Sequence, residues 1–553
     1  MLDKKKYGIV YTPEKLADFT AELLYMEYGM EELTILDPAC GESALLLAMQ
    51  MKCAGNNNYI GIDVDEHVIE ENKINNGQNI SYFQGDFLIQ AKEKNTLRYW
   101  CEKIGKVDCL IANPPIIVQG DFKQKVIDLL IKEGYTLADG QYDNYFLFIE
   151  QSLKILKTGG KAAFILPDSI FSDDAIKLRK MLCEKTHILV IARLGEKIFP
   201  NVNRATTIIV VENELPTNNV KTKCFRLGTK ERKQVLNNEV KLMDCFLNGV
   251  HEEKQRRFIE TEECLFDVDL YENEEKLIKK LEQDKINWNT IFSFGRGVEI
   301  SKSGKAVICK HCNFAQGYTK KQEISKNKIC SNCGGKVDFL DSRVINVISE
   351  TREYDMEKIY VGENLHRYRL SGNRYLRLGI QGINYKNAML YMPPKIVIRK
   401  TGLGINAFLD MESTYISQTV YSCQYIDRKN SDPIEYYLAL LNSRVIYYYY
   451  LKKYGENEWK SHPYLTKKII FSLPLKKYVS SSLTGEICQL ARKLLFGYDR
   501  KIDLELEKKV IELYDISREE VLMIMEEINK LPNLSAINNM KFTEEELEQC
   551  IDI

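Results

Sequence analysis

Short apolar runs recur along the first 213 residues, and most of them stop at an acid, an amide or a glycine. Leu33-Thr-Ile-Leu feeds Asp37, Tyr59-Ile-Gly-Ile62 feeds Asp63, and Ile80-Ser-Tyr-Phe83 leads to Gly85-Asp86-Phe87. Val107-Asp-Cys-Leu-Ile111 runs into Asn113-Pro-Pro-Ile116, and Lys161-Ala-Ala-Phe-Ile-Leu166 follows a Gly159-Gly160 pair. Runs of this length without helical spacing predict buried strands, and 188–193 and 206–212 complete the set. Helical patterns lie between them. One opens at Tyr11-Thr12-Pro13 and runs to about Tyr28, with Thr as cap and Pro at the first helical position. Others run from Ser43 to about Met51 and, rich in aromatics, from Tyr142 to Leu156. Alternation of this kind predicts an α/β fold with helices on both faces of a sheet.

The strand ends carry the chemistry. Two prolines after Asn113 stop the strand there and stiffen the turn, so the amide side chain stands at a strand end. Asp37-Pro38-Ala39-Cys40-Gly41 puts small residues and backbone N–H groups at the start of the next helix, suited to an anionic group. A single glycine excludes the dinucleotide and Walker fingerprints. Open α/β sheets bind ligands at the carboxyl ends of their strands, with an acid on the second strand taking ribose hydroxyls. Asp37, Asp63, Asp86 and Asn113 in succession therefore predict a nucleotide-like ligand on one edge.

Composition narrows the setting. A chain of 553 residues is long enough for two or three domains, and 44% hydrophobic with 28% charged residues is ordinary globular composition. No apolar run reaches membrane-span length, and Met1-Leu-Asp-Lys-Lys-Lys6 lacks the apolar stretch of a signal peptide. Fifteen cysteines, mostly isolated in apolar stretches, suit a reducing cytoplasm. The net charge of −1 means that a polyanion must be met by a local patch.

Such patches lie in the C-terminal half. Cys309-Lys-His-Cys312, then seventeen residues, then Cys330-Ser-Asn-Cys333 has the spacing of a four-cysteine zinc ribbon at about 305–337, closed and therefore structural. His311 reads as an exposed spacer, and Lys310, Lys320, Lys321, Lys326 and Lys328 make the ribbon basic enough to touch phosphate. The stretch from Tyr360 to Lys400 is the stronger nucleic-acid candidate, with eight basic residues against one acid. Arg367, Arg369, Arg374, Arg377, Arg399 and Lys400 are its expected DNA contacts, interleaved with tyrosines, to guanine edges or to phosphate. Residues 272–285 read as a charged helix, Tyr447 to Leu451 as a crowded core helix, and the chain past Ser480 as heptad-like helices to about Lys530. Domain boundaries are expected at 1–240, 241–475 and 476–553.

The motifs Tyr11-Thr-Pro13, Asp37-Pro-Ala-Cys-Gly41, Asp63, Asp86-Phe87 and Asn113-Pro-Pro-Ile116, in this order, resemble the gamma class of S-adenosylmethionine-dependent DNA adenine-N6 methyltransferases. Pro394-Lys-Ile-Val-Ile-Arg-Lys400 and Leu440-Leu-Asn-Ser-Arg444 resemble the C-terminal specificity regions of the same enzymes. The resemblance implies a Rossmann-like methyltransferase sheet followed by a mixed α+β target-recognition domain carrying the zinc ribbon. It implies that Tyr11, Thr12, Pro13 and the loop with Asp37, Ala39 and Gly41 hold the methionine part of S-adenosylmethionine. Asp63 would take the ribose hydroxyls, Asp86 the adenine amino group and Phe87 a face of the adenine ring. Asn113, with Pro114, Pro115 and Ile116, would present the target amino group, and Phe199 would stack on the flipped base. Two positions depart from the family pattern: Ile116 stands where an aromatic residue is usual, and Glu42-Ser43 stand where Ser-Gly is frequent.

The resemblance implies site-specific methylation of duplex DNA in a restriction–modification or phage-defence setting. No nuclease cluster precedes Tyr11, so modification without cleavage is expected, with any restriction endonuclease as a separate partner. Ile116 leaves open a catalytically impaired DNA-binding protein, and Asn-Pro-Pro also serves methylation of RNA adenine or protein Gln.

Overall fold

The protein is seen in a computed structural model. It describes residues 11–543 apart from 28–31, 54, 77–78, 91–94, 117–123, 200–204, 261–262, 301–303, 327, 341–342, 428, 455–464 and 532–536, and also residues 545, 546 and 548. Two compact units divide between Glu272 and Asn273.

The first unit is built on a nine-stranded sheet. Its strands are β1 (Thr34–Asp37), β2 (Asn58–Asp63), β3 (Ile80–Gln84), β4 (Val107–Ala112), β5 (Leu156–Pro167), β6 (His187–Gly195), β7 (Thr206–Glu212), β8 (Lys221–Arg226) and β9 (His251–Lys254). They lie in the order β3-β2-β1-β4-β5-β7-β6-β8-β9. β3, β2, β1, β4 and β5 are mutually parallel, and β7 is antiparallel to β5 and β6.

The two-residue period of a strand sorts its side chains into two cores. From β4, Leu110 and Ala112 join one core with Trp100, Tyr145 and Leu178, while Cys109 and Ile111 join the other with Leu16, Leu45 and Phe246. Helices α1 (Glu14–Tyr25), α2 (Ala44–Lys52) and α3 (Glu66–Asn76) cover this second face. Helices α4 (Thr96–Ile104), α5 (Gln124–Lys132), α6 (Asn144–Ile155) and α7 (Ile176–Lys185) cover the first. The unit extends past the expected boundary at 240 because β9 pairs with β8 as an antiparallel edge strand. Buried Arg257, paired with Glu253 and Asp267, then fixes the chain that leaves it.

The second unit is rich in short strands. Phe292–Arg296, Val420–Tyr425, Lys395–Arg399 and Ala407–Asp410 form an antiparallel four-stranded sheet, and sheets of three, four and two short strands are interleaved with it in sequence. The region past Ser480 is helical as expected, at Ser482–Phe496, Arg500–Leu513 and Arg518–Lys530. These helices belong to the second unit, because Asp503 and Glu507 accept hydrogen bonds from buried Arg367 and Arg444.

Candidate active site

From β1 the chain runs outward through β2 and β3 and returns to β4 on the opposite side of β1. At such a reversal of strand order open α/β sheets bind their ligands, here at the carboxyl ends of β1 and β4. Asp37 ends β1, Asp63 ends β2, Asp86 stands two residues beyond β3, and Asn113 follows β4 directly. The three acids form a gradient, with Asp37 only 1% exposed, Asp63 half-buried and Asp86 exposed at the rim.

Backbone donors hold these carboxylates. Asp37 accepts from Ala39 N at 3.0 Å, and Asp63 accepts from Gly41 N at 3.0 Å and Asp65 N at 2.9 Å. Asp86 accepts from Leu88 N at 2.8 Å and Ile89 N at 3.1 Å. Burial pushes the Asp37 carboxyl up to about 8; the Ala39 hydrogen bond opposes the rise and nearby Asp63 adds to it. Asp63 is also raised, again chiefly by burial. Among the described residues, no lysine or arginine is paired with either of them. Buried carboxyls without a cation are characteristic of ligand sites rather than of structural ion pairs.

The loop between β1 and α2 is wound by two left-handed residues, Gly41 at φ +46° and Ser43 at φ +65°. The second is the position at which glycine is frequent in the family resemblance; here Ser43 is held there by the Tyr82 hydroxyl, which donates to its Oγ at 2.8 Å. A Cβ on Gly41 would lie 3.4 Å from the Tyr11 ring, so Tyr11 lies against the loop. Asn72 donates to the Gly41 carbonyl at 2.7 Å.

Asn113 is half-buried, Pro114 buried, and Pro115 and Ile116 half-buried. The Asn113 amide nitrogen donates to Thr12 Oγ1 at 3.1 Å. This bond joins residues 101 positions apart, and no local pattern announces it. It takes up one hydrogen of the amide nitrogen, and the oxygen of the same side chain is the atom that can accept from a substrate amine. Phe87 is 1% exposed and packs on Phe148, ring centroids 5.7 Å apart. Phe199 is 8% exposed and belongs to the core on the α1 face.

A family model, N-6 DNA Methylase, matches residues 2–290, and a second, the TaqI-like C-terminal specificity domain, matches residues 357–475. The first covers more than half of the sequence. The chain belongs to the N-6 DNA methylase family. Type II methyltransferase M.BanIII of Aneurinibacillus aneurinilyticus is 30% identical over 222 residues, 36% of this chain and 37% of that protein. Type II methyltransferase M.TthHB8I of Thermus thermophilus is 27% identical over 203 residues, 35% of this chain and 42% of that protein. The chain thus spans less than half the length of either relative. Among solved structures, a nuclease-deletion mutant of the Type ISP restriction-modification enzyme LlaGI in complex with a DNA substrate mimic is similar. The match covers 87% of this chain and 55% of that one, at 12% identity and a TM-score of 0.49.

In the second unit of this family member, Cys309, Cys312, Cys330 and Cys333 bring their sulfurs within 4.8 Å of one another. Cys309 and Cys333 Sγ are 3.6 Å apart, and Cys312 and Cys330 Sγ 3.7 Å. Four thiolates placed tetrahedrally at Zn–S distances of ~2.3 Å lie ~3.8 Å apart, so the donor set fits that ion in kind and spacing. His311 is exposed; its backbone N–H donates to Cys309 Sγ at 3.4 Å.

The basic stretch from Tyr360 to Lys400 differs from expectation. Arg367, expected on the DNA-facing side, is 2% exposed and makes two hydrogen bonds to Asp503 at 2.9 and 3.1 Å. Its partner lies 136 residues downstream, out of reach of any local reading. Arg374 is paired with Glu350 and Glu363, and Arg377 with Glu353 and Asp355. Arg399 donates to the Thr401 carbonyl, Lys400 lies over the Tyr421 ring, and exposed Arg369 lies over the Tyr498 ring. The Leu440-Leu-Asn-Ser-Arg444 motif is structural as well. Asn442 exchanges hydrogen bonds with the Ala407 backbone at 3.0 and 2.9 Å, and Arg444 donates to Asp503 and Glu507.

Proposed function

We propose that the chain transfers a methyl group from S-adenosylmethionine to N6 of an adenine flipped out of duplex DNA, as the modifying activity of a restriction–modification system. The observation that carries this reading is the Asn113 amide, anchored through its nitrogen by Thr12, beside Asp37 and Asp63, which have no cation among the described residues. The match of residues 357–475 to a specificity domain favours DNA over RNA adenine or protein Gln.

The residues present fit the cofactor. Its ammonium group, ribose diol and adenine amine are all donors, and Asp37, Asp63 and Asp86 are acceptors spread from the floor of the crevice to its rim. In this reading Tyr11, Thr12, Pro13, Asp37, Ala39 and Gly41 hold the methionine part, Asp63 the ribose and Asp86 the adenine. Gly41 takes the left-handed φ of +46° without strain, and the loop it turns lies beside the Tyr11 ring. When bound, S-adenosylmethionine supplies an electrophilic methyl group on a sulfonium.

Adenine N6 is a poor nucleophile because its lone pair is delocalised into the ring. Asn113 Oδ1 and the Pro114 carbonyl accept its two hydrogens, which favours a pyramidal nitrogen with its lone pair aimed at the methyl group. Positioning and fixed dipoles would make N6 the in-line nucleophile for the methyl group that the cofactor would supply, with the sulfur leaving as a neutral thioether and one N6 proton passing to solvent. Pro115 stiffens the turn, and Ile116 and Phe199 contact the flipped base. The four cysteines hold a structural Zn²⁺ whose loss unfolds the ribbon.

The test is transfer of radiolabelled methyl groups to mixed-sequence duplex DNA. Wild-type protein should label N6 of adenine, and Asn113→Ala should bind S-adenosylmethionine without labelling. Absence of label from wild type on every duplex overturns the proposal. For the ribbon, one zinc per chain is expected by elemental analysis, and Cys330→Ser should lose it.

A further inference from the structure

The cations of the 360–400 stretch are largely committed. Arg367 and Lys395 are buried against Asp503 and Asp410, while Arg374, Arg377 and Lys386 each pair with acids. The cysteine ribbon is the reverse. Residues 305–340 contain seven lysines against two acids. Lys310, Lys326 and Lys336 are exposed and Lys328 half-exposed. None of these four makes an ion pair with another described residue.

All four lie on the short segment that carries the cysteine cluster. Lys310 lies inside the first knuckle, between Cys309 and Cys312. Gly335 of the second knuckle approaches so closely that a Cβ there would come within 2.8 Å of the His311 ring, so the knuckle that carries Lys310 touches the one followed by Lys336. Lys328 and Lys336 lie on the two sides of one short ladder, closed by Val337 N donating to the Lys328 carbonyl at 2.9 Å and by the Ile329–Lys336 bridge, with Lys336 on the exposed face beside Ile329 and Lys328 on the other. The ribbon is joined rigidly to the specificity region, because Ala315 N donates to the Gln381 carbonyl at 2.9 Å and Val347 N to the Gly304 carbonyl at 2.9 Å.

We infer that this lysine-bearing ribbon is a clamp on the phosphate backbone of duplex DNA, supplying affinity without sequence information. Uncompensated lysines outside any ion pair gain most from a polyanion, since counterion release rewards each neutralised phosphate and no internal partner has to be given up. Lysine on a short knuckle acts as a point charge with no fork to read a base edge. The inference rests on the reading of DNA as substrate.

The test compares full-length wild type with the variant Lys310→Gln, Lys326→Gln, Lys328→Gln and Lys336→Gln combined. Both are titrated with cognate and non-cognate duplexes from about 50 to 200 mM salt. The slope of log affinity against log salt should fall by ~0.9 per lysine lost, and the wild type should lose roughly a hundredfold more affinity than the variant over that range. The loss should be the same for both duplexes, and zinc content and S-adenosylmethionine affinity should not change. An unchanged slope in a variant that retains its zinc overturns the clamp. A loss confined to the cognate duplex overturns it too, because the lysines would then be reading bases. Preferential loss of single-stranded RNA binding would assign the surface to another nucleic acid and likewise overturn it. Failure of the wild type to bind any duplex is distinct, since it removes the DNA reading itself. If the fourfold variant loses zinc, Lys310→Gln with Lys336→Gln carries the same test with half the slope change.

Discussion

Asp37 and Asp503 are equally buried, each 1% exposed, yet their carboxyls are driven in opposite directions. Asp37 is pushed up to about 8 by burial. Asp503 is also penalised by burial, but the Arg367 and Arg444 guanidiniums overcome it and hold the carboxyl well below the usual carboxylate range. In the second unit, evolution has completed the constellation: two arginines, Asp503, Glu507 and the Tyr498 hydroxyl satisfy one another. In the first, Asp37 and Asp63 have backbone donors only, and the cation that would balance them is absent from the described side chains. Burial alone does not mark a functional acid. A buried acid waiting for its donor does.

The contrast has a sign that pH can read. The folded state keeps a proton on Asp37 to about pH 8, whereas the unfolded chain releases it near 3.8. This contribution is therefore fully present below the unfolded value and lost on alkalinisation, by about 1.4 kcal/mol per pH unit across that window. Asp37→Asn should flatten this part of the denaturant-unfolding profile of the cofactor-free protein. S-Adenosylmethionine should draw the proton off, seen as proton release by calorimetry in buffers of different ionisation enthalpy. Asp503 behaves in the opposite way, its contribution being present above 3.8 and lost as pH falls through its depressed value. Asp503→Asn leaves the buried Arg367 guanidinium without a carboxylate and Arg444 with Glu507 alone, and should cost about 3–5 kcal/mol at neutral pH in the same unfolding measurement. If both variants shift the same limb of the profile, the comparison fails.

Removing the Asn113 amide touches chemistry instead of stability. Asn113→Ala should lower the single-turnover methyl-transfer rate by about 10²–10³-fold, the scale for one preorganised dipole. Thr12→Val keeps the acceptor and loses only its anchor, so about tenfold is expected, with cofactor affinity measured separately. Equal losses in the two variants would mean that Thr12 does more than orient the amide.

Much of the first unit was legible because its chemistry is local. An apolar run followed by an acid or by Asn-Pro-Pro announces both the strand and what stands at its tip, and β1 to β7 lie where those runs are. β8 and β9 escaped because the last two strands at this end of the sheet carry alternating or wholly polar sequence: Lys221-Thr-Lys-Cys-Phe-Arg226 and His251-Glu-Glu-Lys254 have no apolar run to find. The Thr12–Asn113 bond and the Arg367–Asp503 pair were illegible for a different reason. Each joins residues more than a hundred positions apart, and a charge counted in its own neighbourhood reads as a solvated face until the partner is known. Asn442 and Arg444 show the converse: the motif was visible, but its role as a tie between sheet and helices was not.

The smallest expected effect concerns Ile116, half-buried beside the prolines at the position where the family resemblance has an aromatic ring. An aliphatic side chain excludes water from a flipped base but forfeits part of a stacking interaction of ~1–3 kcal/mol. Ile116→Tyr should therefore tighten DNA binding or raise the single-turnover rate by about tenfold, while Ile116→Leu, equal in volume and without a face, should change neither. Stability should move little in both, because the position is only half-buried. A gain with Tyr alone would mean that the dipoles of Asn113 and Pro114 do the chemistry and that the fourth motif residue only grips the base. A loss with Tyr would mean that the pocket around Ile116 has been rebuilt for its shape, and that the base is held from the other side.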